Sequence, residues 1–123
     1  MTKKKVLIVD DDHDTRSLLH RFLEHEPYQL MLAKNGYEAL EFQKKQKFHL
    51  IITDIDMPEL DGLSLIGTLR DVYPKIKIIA YTGVGGKLTS ESIIELASEA
   101  GADDVTIKPF RKEQILDMVR KLI

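Results

Sequence analysis

The sequence predicts an α/β domain in which a parallel sheet lies between two layers of helices. Three observations predict it. Short runs rich in Val and Ile recur along the chain, and runs of that length and composition read as strands. Helix-like stretches alternate with them, the pattern of βαβ units with right-handed crossovers. The first, third and fourth runs are almost continuously apolar rather than alternating, as expected of strands covered by helices on both faces.

The elements follow in order. Strands are expected at residues 6–9 (VLIV), 28–33 (YQLMLA), 48–53 (FHLIIT), 76–82 (IKIIAYT) and 105–107 (VTI). The first helix carries the stripe Leu18, Leu19, Phe22 and Leu23. Glu26-Pro27 ends it, because the residue before proline avoids the helical region. The second opens at Asn35-Gly36 and carries Ala39, Leu40 and Phe42. The third follows Asp61-Gly62, carries Leu63, Leu65, Ile66 and Leu69, and stops before Pro74. In the fourth, Ser92 and Glu95 have the spacing of a capping box, and Gly101 fits a C-terminal cap. The fifth carries Ile115, Leu116, Val119 and Leu122. The 123 residues amount to one domain, taken as 1–123.

Composition narrows the function. Hydrophobic residues are 43% and charged residues 31%, a globular balance rather than a disordered one. The formal net charge of −2 leaves no broad basic field for nucleic acid or membrane phosphates. With no cysteine, disulfides, thiolate metal sites and cysteine nucleophiles are excluded. No apolar run approaches the roughly 20 residues that span a bilayer, and the apolar run after Lys3–Lys5 is too short for a signal peptide. A soluble cytoplasmic protein is expected.

The informative polar residues all fall at the carboxyl ends of strands. Asp10, Asp11 and Asp12 follow the first strand, and Asp54 and Asp56 the third. Thr82 ends the fourth, and Lys108 the fifth. In an open α/β sheet that edge binds ligands. Carboxylates gathered there raise one another's pKa, and a hard divalent cation relieves the repulsion. An all-oxygen, shallow site that keeps waters suits Mg²⁺ best. A carboxylate beside that ion can attack phosphorus, giving an aspartyl phosphate. A hydroxyl and an ammonium group nearby then hold the phosphoryl oxygens.

Each residue also has a plainer role. Aspartate after a strand often caps a helix, Asp56-Met57-Pro58 is compatible with a turn, and a lysine before proline is usually solvated. The joint placement on one edge is what favours chemistry. Other motifs fail. Gly83-Val84-Gly85-Gly86 lacks the third glycine of a dinucleotide fingerprint, Leu88 standing there, and there is no P-loop. His13, His20, His25 and His49 have no metal-site spacing, and no serine sits in a G-x-S-x-G context. Phe42 and Phe48 read as core.

With VLIVDDD, NGYEAL, IITDIDMPELDG, YTG and IKPF in place, the sequence resembles the receiver domain of two-component response regulators over essentially its whole length. The resemblance implies a flavodoxin-like (βα)5 fold with strand order 2-1-3-4-5. It implies a signalling switch rather than an enzyme. Asp54 matches the phosphoacceptor. Asp10 and Asp11 match the acidic pair, Asp11 ligating Mg²⁺ directly and Asp10 largely through water. Asp56 matches the position that ligates through its backbone carbonyl. Thr82 and Lys108 match the hydroxyl and ammonium that hold the phosphoryl group, and Pro109 a proline preceded by a cis bond. Asp56 and Val84 match positions that tune phosphate lifetime. The implied partners are a histidine kinase or histidine phosphotransfer protein and a downstream protein, with no direct contact to nucleic acid or membrane.

The chain departs from the family at Val105, where an aromatic switch residue is usual. Tyr81, beside Thr82, would be a poor substitute, since neighbouring strand residues face opposite ways. The spacing from Thr82 to Lys108 is also longer than usual, the excess falling in the Gly-rich stretch 83–92. Three rivals are a haloacid-dehalogenase-like phosphatase using Asp54 and Asp56 as a D-x-D motif, a receiver-like module working without phosphate, and an FMN carrier. The phosphatase motif belongs on strand one, and three carboxylates after strand one would repel a flavin phosphate.

Overall fold

A computed structural model describes residues 3–83 and 89–123. The order is β1 (Lys4–Val9), α1 (His13–Leu23), β2 (Tyr28–Ala33), α2 (Gly36–Lys45), β3 (Leu50–Asp54), α3 (Gly62–Val72), β4 (Lys77–Thr82), α4 (Ser90–Ala100), β5 (Asp104–Ile107) and α5 (Lys112–Leu122). The strands form one parallel sheet in the order β2-β1-β3-β4-β5. This is the expected flavodoxin-like (βα)5 topology. The three continuously apolar runs are its central strands, and half-exposed β2 is an edge.

Alternation along the strands divides the core into two layers. Leu7, Val9, Ile51, Ile78 and Ala80 face α2, α3 and α4, meeting Ala39, Leu65, Ile66, Leu69, Ile93 and Ala97. Val6, Ile8, Leu50, Ile52, Ile79 and Tyr81 face α1 and α5, meeting Leu19, Leu23, Ile115, Leu116 and Val119. Phe48 is core, and Phe42 packs against the same cluster.

Two local expectations are corrected. Strand three begins at Leu50, not 48, because the Phe48 N–H donates to the Gln43 side-chain oxygen (3.0 Å) rather than to the ladder. The fourth helix is not capped by Ser92 with Glu95. Thr89 is the N-cap, its hydroxyl oxygen accepting the Ser92 N–H (3.1 Å) and its O–H donating to the Ser92 hydroxyl (2.9 Å). Of two hydroxyl residues three apart, the first lies at the non-helical position where the donors are free. Gly101 does close this helix, at φ 124°, where its N–H reaches the Ala97 and Ser98 carbonyls.

Register sets the level of the carboxyl edge. Val9 lies opposite Thr53, so Asp10 and Asp54 occupy the next rung side by side. Asp54 pairs with Tyr81, and Thr82 with Ile107, so Lys108 emerges one step beyond Thr82. Gly62 closes the loop after β3. Its N–H donates to the Ile55 carbonyl, and a Cβ there would fall 2.3 Å from the Asp54 carbonyl oxygen. Only glycine permits that approach, which brings the start of α3 against the chain that carries Asp54.

Candidate functional site

Asp10, Asp11 and Asp54 converge. Each offers a carboxylate oxygen within 4.8 Å of the other two, with Asp10 and Asp54 buried and Asp11 exposed. Lys108 joins them, its ammonium 3.7 Å from Asp54 Oδ2 and 3.8 Å from Asp10 Oδ2. The bond between Lys108 and Pro109 is cis, as the resemblance implies. Asp12 takes the plainer role, as N-cap of α1. Its carboxylate accepts the Thr15 N–H (3.1 Å) and hydroxyl (2.6 Å).

Thr82 is fully buried, and its hydroxyl donates to Asp56 Oδ2 (2.9 Å). Asp56 thus turns its carboxylate to Thr82 and lies outside the three-carboxylate cluster. Its N–H donates to Asp54 Oδ1 (3.0 Å), which fixes the rotamer of Asp54. Val84 and residues 85–88 of the Gly-rich stretch lie outside the described residues.

Electrostatics at this edge are unbalanced among the described residues, with three clustered carboxylates and one ammonium that pairs with two of them. Burial first, and Asp10 second, push the Asp54 carboxyl up to about 7, against the pull of the Asp56 N–H and Lys108. Burial also raises Asp10, opposed by its hydrogen bonds from Tyr81 and Asp12 and by Lys108. A divalent cation among three hard oxygen donors would neutralise this charge and favour the ionised form of each. The donor set fits such an ion, with Asp11 exposed and open to it.

The sequence reading missed one residue of the site. Strand alternation puts Tyr81 on the face away from Thr82, and its ring lies in the α1/α5 layer, while Val105 packs in the other. From there its hydroxyl reaches back to the edge and donates to Asp10 Oδ2. No sequence signal marked that reach, which follows from the register that sets Tyr81 opposite Asp54.

Residues 6–120 match the family model described as the response regulator receiver domain. The chain is 32% identical to the sporulation initiation phosphotransferase F of Bacillus subtilis (strain 168), over all of this chain and 96% of that protein. It is 36% identical to the response regulator MprA of Mycobacterium leprae (strain TN), over 97% of this chain but only 50% of that protein, so it spans about half the length of that relative. Among solved structures, the chemotaxis protein CheY4 of Vibrio cholerae matches with a TM-score of 0.87 at 27% identity, covering 99% of this chain and 100% of that one. A response regulator from Thermotoga maritima gives 0.86 at 29%, covering 99% and 98%.

The chain belongs to the receiver domain family of two-component response regulators. Domains of this class are phosphoaccepting switches served by histidine kinases or phosphotransfer proteins, and nothing in these matches favours the phosphatase alternative. Among the described residues no helix is long and apolar enough to cross a membrane.

Proposed function

We propose that Asp54 is the phosphoacceptor of a cytoplasmic phosphorelay switch. The carrying observation is the position of Lys108, whose ammonium lies at nearly equal distance from the Asp54 and Asp10 carboxylates beside the Asp11 oxygen. That arrangement supplies a nucleophile, a seat for a cation and a fixed positive charge around one small space. Mg²⁺ would be held by Asp11, Asp54 and the Asp56 carbonyl, with Asp10 acting through water. When bound, the ion supplies charge neutralisation and keeps Asp54 ionised.

A phosphohistidine on a histidine kinase or phosphotransfer protein is the donor. The P–N bond breaks, a bond forms between phosphorus and an Asp54 carboxylate oxygen, and the leaving imidazole takes up a proton. Lys108 holds one phosphoryl oxygen. Thr82 exchanges its hydrogen bond with Asp56 for one with another phosphoryl oxygen, which pulls the end of β4 and alters the surface of α4, β5 and α5 toward a downstream protein. With Val105 in place of an aromatic residue, this shift is carried by Thr82 and backbone rather than by a rotating ring. A relative named for phosphotransfer supports a role within a relay.

The test is incubation with Mg²⁺ and acetyl phosphate, or with beryllofluoride. With acetyl phosphate wild type should acquire one acid-labile phosphate per chain, with beryllofluoride it should show a Mg²⁺-dependent spectral change, and Asp54→Asn should show neither. A wild type that stays unmodified overturns the reading.

A further inference from the structure

We infer that Tyr81 is a positioning residue of this site, orienting Asp10 through its hydroxyl and seating Lys108 on its ring. The inference rests on the phosphoacceptor reading of the same edge. Tyr81 is 1% exposed, and a tyrosine buried that deeply needs an acceptor for its hydroxyl. The acceptor here is not a core carbonyl but Oδ2 of a metal-site carboxylate. The other Asp10 oxygen, Oδ1, accepts the Asp12 N–H at 2.8 Å. One donor on each oxygen fixes the carboxylate plane. With both oxygens engaged by protein donors, Asp10 is suited to act on the ion through water while Asp11 binds it directly.

The ring makes the second contact. The Lys108 ammonium lies 5.2 Å from its centroid, within the range of a cation–π attraction. The ring also packs on Phe110, with centroids 5.1 Å apart at 47°. Tyr81 is also the β4 residue paired with Asp54 across the ladder. One side chain therefore sets both groups that flank the phosphoacceptor. A residue serving only to fill the core would account for the Phe110 contact but not for the hydroxyl on Asp10.

Tyr81→Phe removes the hydroxyl and keeps the ring. Partners that orient metal ligands typically change affinity by about 10–100-fold when lost. Mg²⁺ affinity, measured by calorimetric titration of the whole chain without any phosphodonor, is expected to weaken by about 10-fold. At saturating Mg²⁺, the acetyl phosphate reaction of this variant should keep a near wild-type maximal rate. Tyr81→Leu, which also unseats Lys108, should lower that maximal rate as well. A Tyr81→Phe protein with unchanged or tighter Mg²⁺ binding overturns the inference, as does Tyr81→Leu with an unaltered maximal rate. A further readout needs no variant. In wild type labelled at tyrosine Cζ, Mg²⁺ should shift the Tyr81 carbon resonance and leave Tyr28, Tyr37 and Tyr73 in place; a stationary Tyr81 signal overturns the inference. If wild type binds Mg²⁺ but takes up no phosphate, the phosphoacceptor reading fails while the contrast in Mg²⁺ affinity still decides the role of Tyr81.

Discussion

The molecule contains two polar networks of opposite character. One lies around Arg70 near the end of α3. Its guanidinium donates to the Gly101, Pro74 and Ile76 carbonyls at 2.7–3.1 Å and pairs with Asp103 at 2.9 Å. Asp103 in turn accepts the Ile78 N–H at 2.8 Å. Charges there match one to one, and the guanidinium ties α3 to the ends of α4 and β4. The other network is the carboxyl edge, where Asp10, Asp11 and Asp54 cluster and, among the described residues, Lys108 is the cation within 4 Å of their carboxylates, reaching Asp10 and Asp54. The first network is closed and stabilises the fold. The second is open, holds surplus negative charge, and stores the cost until a cation or phosphoryl chemistry relieves it. Function sits where the fold leaves charge uncompensated, not where polar groups are most numerous.

Asp54→Asn should break the contrast most completely. It is expected to abolish phosphate uptake while raising the stability of the metal-free protein by about 1–3 kcal/mol, since one charge leaves a crowded, buried site. Thermal unfolding checks this, and a loss of stability would mean that the edge is not repulsive.

Arg70→Ala should do the reverse. It strips the partner from several carbonyls and Asp103, for an expected cost of about 2–4 kcal/mol in denaturant unfolding. At temperatures where the variant is folded, its phosphorylation rate should match wild type.

The pH dependence of stability sharpens the comparison further. The Asp54 carboxyl rises from 3.8 to about 7 on folding, so the native state holds the proton that the unfolded state releases. Stability from this group is whole below pH 3.8, is lost as pH climbs from there to about 7, and is flat above. The loss is worth about 1.4 kcal/mol per unit at most. Between pH 5 and 8, metal-free wild type should therefore lose stability relative to Asp54→Asn, and Mg²⁺ should restore most of it at pH 8.

The smallest effect belongs to a residue outside both networks. Asn35 caps α2 by accepting the Glu38 N–H at 2.8 Å. Asn35→Ala should cost about 1 kcal/mol and leave Mg²⁺ affinity unchanged in the same titration.

Much of this was legible in one dimension. Continuous apolar runs marked β1, β3 and β4 as the covered centre of the sheet, because only a strand buried on both faces can dispense with alternation. Asp10, Asp11, Asp54, Thr82 and Lys108 could be placed on one edge because parallel strands all end on the same side. Thr89 and Ser92 carry the same hydroxyl group, and only the observed start of the helix decides that Thr89 is the cap.

The sequence by itself thus determined which residues reach the carboxyl edge, since strand period and parallel connection are local and repetitive properties. The tertiary structure alone decided what each does there. Asp12 caps a helix while Asp10 and Asp11 face the cluster, Asp56 turns to Thr82, and Tyr81 reaches from the α1/α5 layer to Asp10. Those outcomes depend on register between strands distant in the chain and on which donors burial leaves in need of a partner. Neither quantity exists until the sheet has assembled.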